Sequence, residues 1–189
     1  MVETPIYTAE QLLETRLEQP EEGRWMELDQ GKLINLDAPD LDHGTIVLNL
    51  SKVLSVYLHQ VDHGYACFEL GLLMQRNPDT VRFPAICIFQ TGKRFEETDN
   101  AISERKPVAI IEVASTHPRR QVMNDHVREY MNWGVKLIWV IDPQTKEVHE
   151  YLSGQESDVI DFKGKITGGT VMPEFVMKVE DLFTEPVWW

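Results

Sequence analysis

Two stretches of helical periodicity and one hairpin signal organise the first third of the chain. Apolar residues recur every three or four positions over 8–18 and again over 43–59, which predicts two amphipathic helices. Between them, segment 24–36 has two short apolar runs on either side of Asp29-Gln30-Gly31, a sequence typical of a tight turn. The pattern therefore predicts helix, hairpin and helix in that order.

The middle of the chain has shorter apolar runs of the kind found in strands. Residues 64–75 and 81–89 predict two strands separated by the turn-forming residues Asn77-Pro78-Asp79. The polar stretch 91–106 carries charges without periodicity, so we expect it to be a surface loop.

A buried strand, a helix and another buried strand follow. Segment 107–115 is almost continuously apolar, a helical pattern over 119–133 ends before Gly134, and 136–143 is again strand-like. Two strands joined by a helix form a βαβ unit, so part of the sheet is expected to be parallel. With a further hairpin over 146–162, the elements predict an α/β fold with a mixed β-sheet core flanked by helices.

Composition makes a folded globular chain the expectation. The 189 residues, 42% of them apolar, suit one domain over 1–189, with the helix and hairpin of 8–36 packing on its core. The two cysteines, Cys67 and Cys87, form neither a disulfide framework nor a paired zinc motif. No secretory signal or membrane-spanning stretch is visible, so we expect a cytoplasmic protein without a membrane partner.

Charge is unevenly distributed along the sequence. The formal net charge is −13, which disfavours general coating of nucleic acid. Segment 105–136 is nevertheless locally basic, with six basic residues against three acidic ones. Arg119 and Arg120 lie there at a strand-to-helix junction, where they are candidate ligands for a phosphate backbone or simply a solvated helix start.

Two glutamates in apolar surroundings are the main candidates for chemistry. Glu112 is the one charged residue in VAIIEVA, and Glu69 interrupts YACFELGLL. An ionised carboxylate is costly to bury without partners, so Glu112 is either hydrogen-bonded near the strand end or a metal ligand or acid/base group. If the two strands are neighbours, Glu69 and Glu112 together would suit Mg²⁺; otherwise Glu69 is a strand-end residue facing water.

Two histidines lie next to these elements. His126 borders the apolar stripe of the predicted helix 119–133, where a packed histidine and a catalytic one are both consistent with the pattern. His43 immediately precedes the long helical pattern, as either a flanking group or a residue of a binding pocket.

Six short phrases follow one another along the chain: RWMELDQGKLINL, DHGTIVLNLSKVL, DTVRFP, VAIIEVAS, REYMNWGVKLIWVIDP and GGTVMPEF. In this order they resemble a bacterial family of restriction-endonuclease-like proteins within the PD-(D/E)XK nuclease superfamily. The resemblance covers nearly the whole chain, and it implies a sheet core flanked by helices with a Mg²⁺-dependent site that cleaves DNA phosphodiesters.

The resemblance assigns roles position by position. It places the family's acidic residue at Glu112 and its proline at Pro84, but the residue after that proline, an aspartate in the family, is Ala85 here. The position of the family's helix lysine is occupied by His126, and the acidic residue four positions earlier is replaced by Val122. Alanine cannot hold a cation, and a histidine with a reference pKa of about 6.5 is expected to be neutral and to lack the charge of an ammonium.

These departures leave three functional hypotheses. The first is a nuclease-fold protein whose cleavage is impaired at Ala85 and His126. The second is an active Mg²⁺-dependent endonuclease in which Glu69, Glu112 and His126 form a rearranged site, with Arg119, Arg120 and His43 binding the substrate. The third is a homodimer or other homo-oligomer that acts through protein contacts, suggested by the acidic charge and by the two tryptophans at 188–189, which are unfavourable to leave in water.

Overall fold

The computed structural model of the chain describes residues 5–18, 25–61, 64–91 and 100–186. Its helices are α1 (Ala9–Glu18), α2 (Leu41–Val61), α3 (His117–Trp133) and α4 (Val179–Leu182). The strands in the first half are β1 (Met26–Asp29), β2 (Lys32–Asn35), β3 (Tyr65–Phe68), β4 (Gly71–Gln75), β5 (Thr80–Arg82), β6 (Ile86–Phe89) and β7 (Ile102–Ser103). Those in the second half are β8 (Ala109–Val113), β9 (Leu137–Asp142), β10 (Glu147–Leu152), β11 (Asp158–Ile160), β12 (Lys165–Gly168) and β13 (Met172–Lys178).

A six-stranded mixed sheet forms the centre, in the order β11-β10-β9-β8-β6-β3. Among its described strands only the β8–β9 pair is parallel, as the predicted βαβ unit requires. One face packs against α2 and the C-terminal segment that contains β13 and α4, and the other face packs against α3. The prediction of an α/β fold with a mixed sheet flanked by helices is confirmed.

A second, five-stranded sheet in the order β2-β1-β5-β4-β7 carries the N-terminal elements. Its β1–β2 hairpin turns at Gln30 and Gly31, both of which have positive φ, so the predicted hairpin is confirmed. Apolar side chains of α1, including Leu12, pack with Leu28 and Val81 of this sheet. The N-terminal helix thus covers the sheet that brings β1 and β5 towards α3.

Two predicted strands each form two strands in the structure. The chain leaves β3 at Glu69, which has a φ of 51°, and β4 then joins the other sheet. Likewise β5 and β6 are separated at Pro84, a residue without a backbone N–H for the ladder. The prediction of two uninterrupted strands was wrong because a left-handed residue and a proline redirect the chain between sheets.

The stretch predicted as a surface loop, 91–106, contains a short strand. Within it, β7 pairs in parallel with β4, through Gly71 opposite Ile102. The part from 92 to 99 lies outside the described residues, as do 188–189, which were one of the two features behind the homo-oligomer hypothesis. No helix in the described part of the chain is long and apolar enough to cross a membrane.

Candidate functional site

Glu112 is positioned by the alternation of β8. Ala109, Ile111 and Val113 pack on the side of α2, whereas Ile110 belongs to the cluster beneath α3. Because successive side chains of a strand point to opposite faces, Glu112 faces α3, and it is only 2% exposed. The sequence placed a carboxylate on this face, and the structure shows that it is buried there.

Two residues of α3 meet the Glu112 carboxylate. The Tyr130 hydroxyl donates a hydrogen bond to Glu112 Oε1 over 2.7 Å, and His126 Nδ1 lies 3.5 Å from the same oxygen. His126 and Tyr130 are four residues apart, so they share the helix face that packs on the sheet. His126 is therefore fully inside this face, at 2% exposure, and not at its border as the periodicity indicated.

A third charged residue, Glu27 of β1, completes the contacts of His126. Glu27 Oε2 lies 3.2 Å from His126 Nε2, and Glu27 Oε1 accepts a hydrogen bond from the Phe83 N–H. Sequence reasoning missed Glu27, which is also 2% exposed. The signal was available, because Glu27 lies between Met26 and Leu28 just as Glu112 lies among apolar neighbours.

Arg82 of β5 is the second cation of the site. Its Nη1 lies 3.4 Å from Glu27, its Nη2 lies 3.1 Å from Asp29, and its Nε and Nη2 bond both carboxylate oxygens of Glu129 at 2.8 and 2.9 Å. Burial disfavours the charge of Arg82, but the Glu129 hydrogen bonds and the Glu27 charge outweigh burial and raise its pKa. We call these residues the buried charge network: Glu27, Arg82, Glu112, His126 and Tyr130, with Asp29 and Glu129 at the rim.

Protonation in the network follows from these contacts. Burial alone would lower the pKa of His126, but the negative charges of Glu27 and Glu112, close to its two ring nitrogens, raise it to about 10. His126 lowers the pKa of Glu27 in turn, against the effect of burial. The expectation of a neutral histidine was therefore wrong, because two buried carboxylates stabilise the imidazolium at neutral pH.

This protonation makes stability depend on pH. The pKa of His126 is about 10 in the folded chain and about 6.5 when exposed, so its stabilising contribution is complete below about pH 6.5 and is lost as pH rises towards 10. We expect the free energy of unfolding, measured in urea, to fall between pH 7 and 9 by at most about 1.4 kcal/mol per pH unit. His126→Gln is expected to abolish this slope, and an equal slope in that variant would contradict the assignment.

Glu69 and His43 form a separate pair. Glu69 lies at the break between β3 and β4, where its N–H donates to the Ala85 carbonyl, and its Oε1 lies 3.3 Å from His43 Nε2. His43 is 5% exposed in the first turn of α2. Glu69 thus contacts His43, while Glu112 contacts His126 and Tyr130, and the joint Glu69–Glu112 metal site stays a prediction.

The two predicted phosphate ligands have structural contacts. Arg119, 3% exposed, donates from Nε and Nη2 to the Asp37 carbonyl, and its guanidinium lies 5.9 Å from the centre of the Trp25 ring. Arg120 Nη1 donates to the carbonyl of Ala114 at the end of β8. Both guanidinium groups therefore hold the start of α3 against neighbouring segments, and their role towards a substrate stays a prediction.

The donor set of the buried charge network does not fit a divalent cation. Mg²⁺ requires several oxygen ligands, yet Ala85 offers no side-chain oxygen and the Glu27 and Glu112 carboxylates contact cationic or hydroxyl groups of the protein. Among the described residues, no three or more His, Cys, Asp or Glu side chains are grouped so that they could hold a metal ion. The two positive charges that a metal would supply are already supplied by Arg82 and His126.

The chain is similar to one described protein family and to a solved structure. Residues 10–180 match the model of a family described as "Putative restriction endonuclease", named Uma2. The fold is similar to that of a crystal structure described as "a putative nuclease belonging to DUF820" from Anabaena variabilis ATCC 29413, with a TM-score of 0.75 and 23% identity over 90% of this chain and 96% of that one. At that identity the likeness concerns the fold. No curated protein matches the chain.

Proposed function

Because this chain belongs to the Uma2 family of restriction-endonuclease-like proteins, we propose that it is a nuclease-fold protein whose phosphodiester cleavage is impaired by internal neutralisation of its carboxylate site. DNA is the substrate class that the family suggests. The observation that carries the proposal is the placement of His126 between Glu27 and Glu112, with each of the three residues 2% exposed.

Internal neutralisation removes the negative charge with which the carboxylates of a cleaving site hold a metal ion. In metal-assisted hydrolysis, carboxylates hold a cation that polarises the phosphate and lowers the pKa of the attacking water. Here a cation would have to displace His126 and Arg82 from carboxylates that they neutralise in a site with little solvent. It would also lack the ligand that an aspartate at position 85 would provide.

One observation favours the second candidate, an active nuclease. The raised pKa of His126 makes it a cation at neutral pH, so it supplies the positive charge that the family obtains from a lysine at this position. In that case Glu27, which contacts His126, takes part in the site together with Glu112.

Plasmid cleavage in Mg²⁺ or Mn²⁺ distinguishes the two candidates. We expect the native chain to cleave supercoiled plasmid no faster than Glu112→Gln, a variant that keeps the size of the side chain but removes its charge. We expect Ala85→Asp combined with His126→Lys to cleave at least about tenfold faster than the native chain, since the introduced aspartate adds a cation ligand and a lysine ammonium on its flexible stem can leave Glu27 and Glu112 for the phosphate.

Binding and stability measurements make each outcome interpretable. Thermal unfolding first establishes that each variant is folded, and calorimetric titration with Mn²⁺ then measures whether the Ala85→Asp substitution creates metal affinity. Cleavage by the native chain that disappears in Glu112→Gln would refute the proposal and support the second candidate. A folded double variant that binds Mn²⁺ without cleaving would also count against it, because neutralisation would then not be the cause of inactivity.

A further inference from the structure

The only two cysteines of the chain face each other across two neighbouring strands. Cys67 of β3 and Cys87 of β6 are register partners in an antiparallel pair, and both are thiols. They are far apart in the sequence and separated by the whole of β4 and β5. The sequence pattern alone indicated no disulfide, because it does not reveal which strands pair.

The two side chains share one face of the six-stranded sheet. Directly opposite residues of an antiparallel pair point to the same side, and both cysteines pack in the apolar cluster beneath α3. The next pair on that face, Tyr65 and Phe89, has its rings stacked with centroids 5.5 Å apart. Side chains on this part of the sheet therefore meet across the β3–β6 ladder.

Backbone spacing at such a pair suits a disulfide. Opposite residues in antiparallel strands have Cα atoms about 4.5–5.5 Å apart, and disulfides span Cα separations of about 4.4–6.8 Å. We propose that Cys67 and Cys87 are a redox-sensitive pair that forms an intramolecular cross-strand disulfide when the protein meets a hydroperoxide.

Exposure assigns a different role to each thiol. Cys67 is half-buried on β3, which is one of the two outer strands of this sheet among the described residues, whereas Cys87 is fully buried on the inner strand β6. Oxidation depends on access and on thiolate character, so Cys67 is the residue that an oxidant reaches first. Cys87 is then the resolving thiol.

The chemistry balances in two steps. The Cys67 thiolate attacks the peroxide, the O–O bond breaks, one oxygen stays on sulfur as a sulfenic acid, and the other leaves as hydroxide or alkoxide. Cys87 sulfur then bonds to Cys67 sulfur, the S–O bond breaks, and water leaves with the Cys87 proton. The peroxide has been reduced by two electrons, and the two thiols have been oxidised to one disulfide.

The bond would tie the edge strand to the interior of the sheet. It would close a covalent loop that contains Glu69, β4 and β5. Arg82 of the buried charge network lies within this loop. Closing a loop of this length is expected to raise the melting temperature by about 5–10 °C, mainly by restricting the unfolded chain.

Mass spectrometry of the native chain after hydrogen peroxide treatment tests the pair. We expect the intact mass to fall by two hydrogen atoms, a proteolytic peptide pair to be joined through Cys67 and Cys87, and the melting temperature to rise until dithiothreitol is added. The disulfide should form faster in the folded protein than in the urea-unfolded chain, because only the fold places the thiols together.

Serine variants provide matched controls. In Cys87→Ser, Cys67 should accumulate as a sulfenic acid that reacts with dimedone, and in Cys67→Ser, Cys87 should stay reduced under the same treatment. Any of three results overturns the proposal. The first is that the Cys87 thiol is still alkylated when the oxidised native protein is denatured, and the second is that the disulfide joins two chains through Cys67. The third is that folding does not accelerate formation of the disulfide.

Discussion

Replacing His126 by alanine is expected to lower the free energy of unfolding at pH 7 by about 3–5 kcal/mol. The imidazolium lies 3.2 Å from Glu27 and 3.5 Å from Glu112, both of which are buried. Its removal leaves Arg82 as the remaining cation of the buried charge network, and it opens a cavity against Tyr130. Urea denaturation followed by circular dichroism measures the change.

Two variants separate charge from packing at this position. His126→Lys keeps a cation and should recover a large part of the lost stability, whereas His126→Gln keeps polarity without charge and should recover less. Arg128→Ala, on the same helix but 67% exposed in its side chain and paired with Asp125 at the surface, should change stability by less than about 1 kcal/mol. A loss at His126 no larger than that at Arg128 would be incompatible with a charged histidine in the network.

Replacing Arg82 by methionine is the second change with a large expected effect, a loss of about 3–5 kcal/mol. Arg82 is 4% exposed and reaches Glu27, Asp29 and Glu129 with its planar guanidinium. Methionine preserves much of the apolar volume of the arginine side chain. The loss in the free energy of unfolding therefore measures the removal of the positive charge next to Glu27. Because β5 also contacts α3 through Glu129, we expect hydrogen exchange to increase at the C-terminal end of α3.

Conservative and coupled variants test this interpretation. Arg82→Lys should lose stability as well, since one ammonium cannot reproduce the fork that holds Glu129. In a double-mutant cycle, Arg82→Met and Glu129→Gln should be non-additive by about 1–3 kcal/mol. Additive losses would mean that the Arg82–Glu129 bonds contribute little and that packing dominates.

Raising the pH and replacing His126 by alanine should both lower the free energy of unfolding by removing the same positive charge, that of the His126 imidazolium. The stability that the imidazolium contributes to the native chain is lost as the pH rises from about 6.5 towards 10, and the alanine variant has no imidazolium, so the difference between their free energies of unfolding should narrow over that range. If the difference in free energy of unfolding between the native chain and the variant stays constant from about pH 6 to 9.5, the effect of His126→Ala comes from the cavity alone.

The local sequence pattern was sufficient to predict β8 and α3, the two elements that carry Glu112 and His126 of the site. The run VAIIEVA identified β8 and its buried glutamate, and the periodicity over 119–133 with Gly134 identified α3 and its end, where Gly134 adopts a left-handed φ of 101°. These predictions succeeded because strand alternation and helix periodicity depend on neighbours in the sequence.

Predictions failed where the chain changes sheet. Nothing in the apolar run over 64–75 indicated that Glu69 adopts a left-handed conformation and redirects the chain towards the second sheet. A segment of this composition can form one continuous strand or two shorter strands. Which of the two forms depends on the strands that are available for pairing on each side.

By itself, the sequence determined the family, through the order of short phrases over nearly the whole chain. It also determined the α/β class, the βαβ unit and the carboxylate at the end of β8, because these depend on short-range patterns. Only the tertiary structure decided that β1 brings Glu27 to His126, that β5 brings Arg82 between three carboxylates, and that Cys67 faces Cys87. It also decided the charge of His126, since a pKa depends on the burial and distance of groups far apart in the chain. The two cysteines and the histidine were visible in the sequence, but their chemistry depends on partners that only folding brings together.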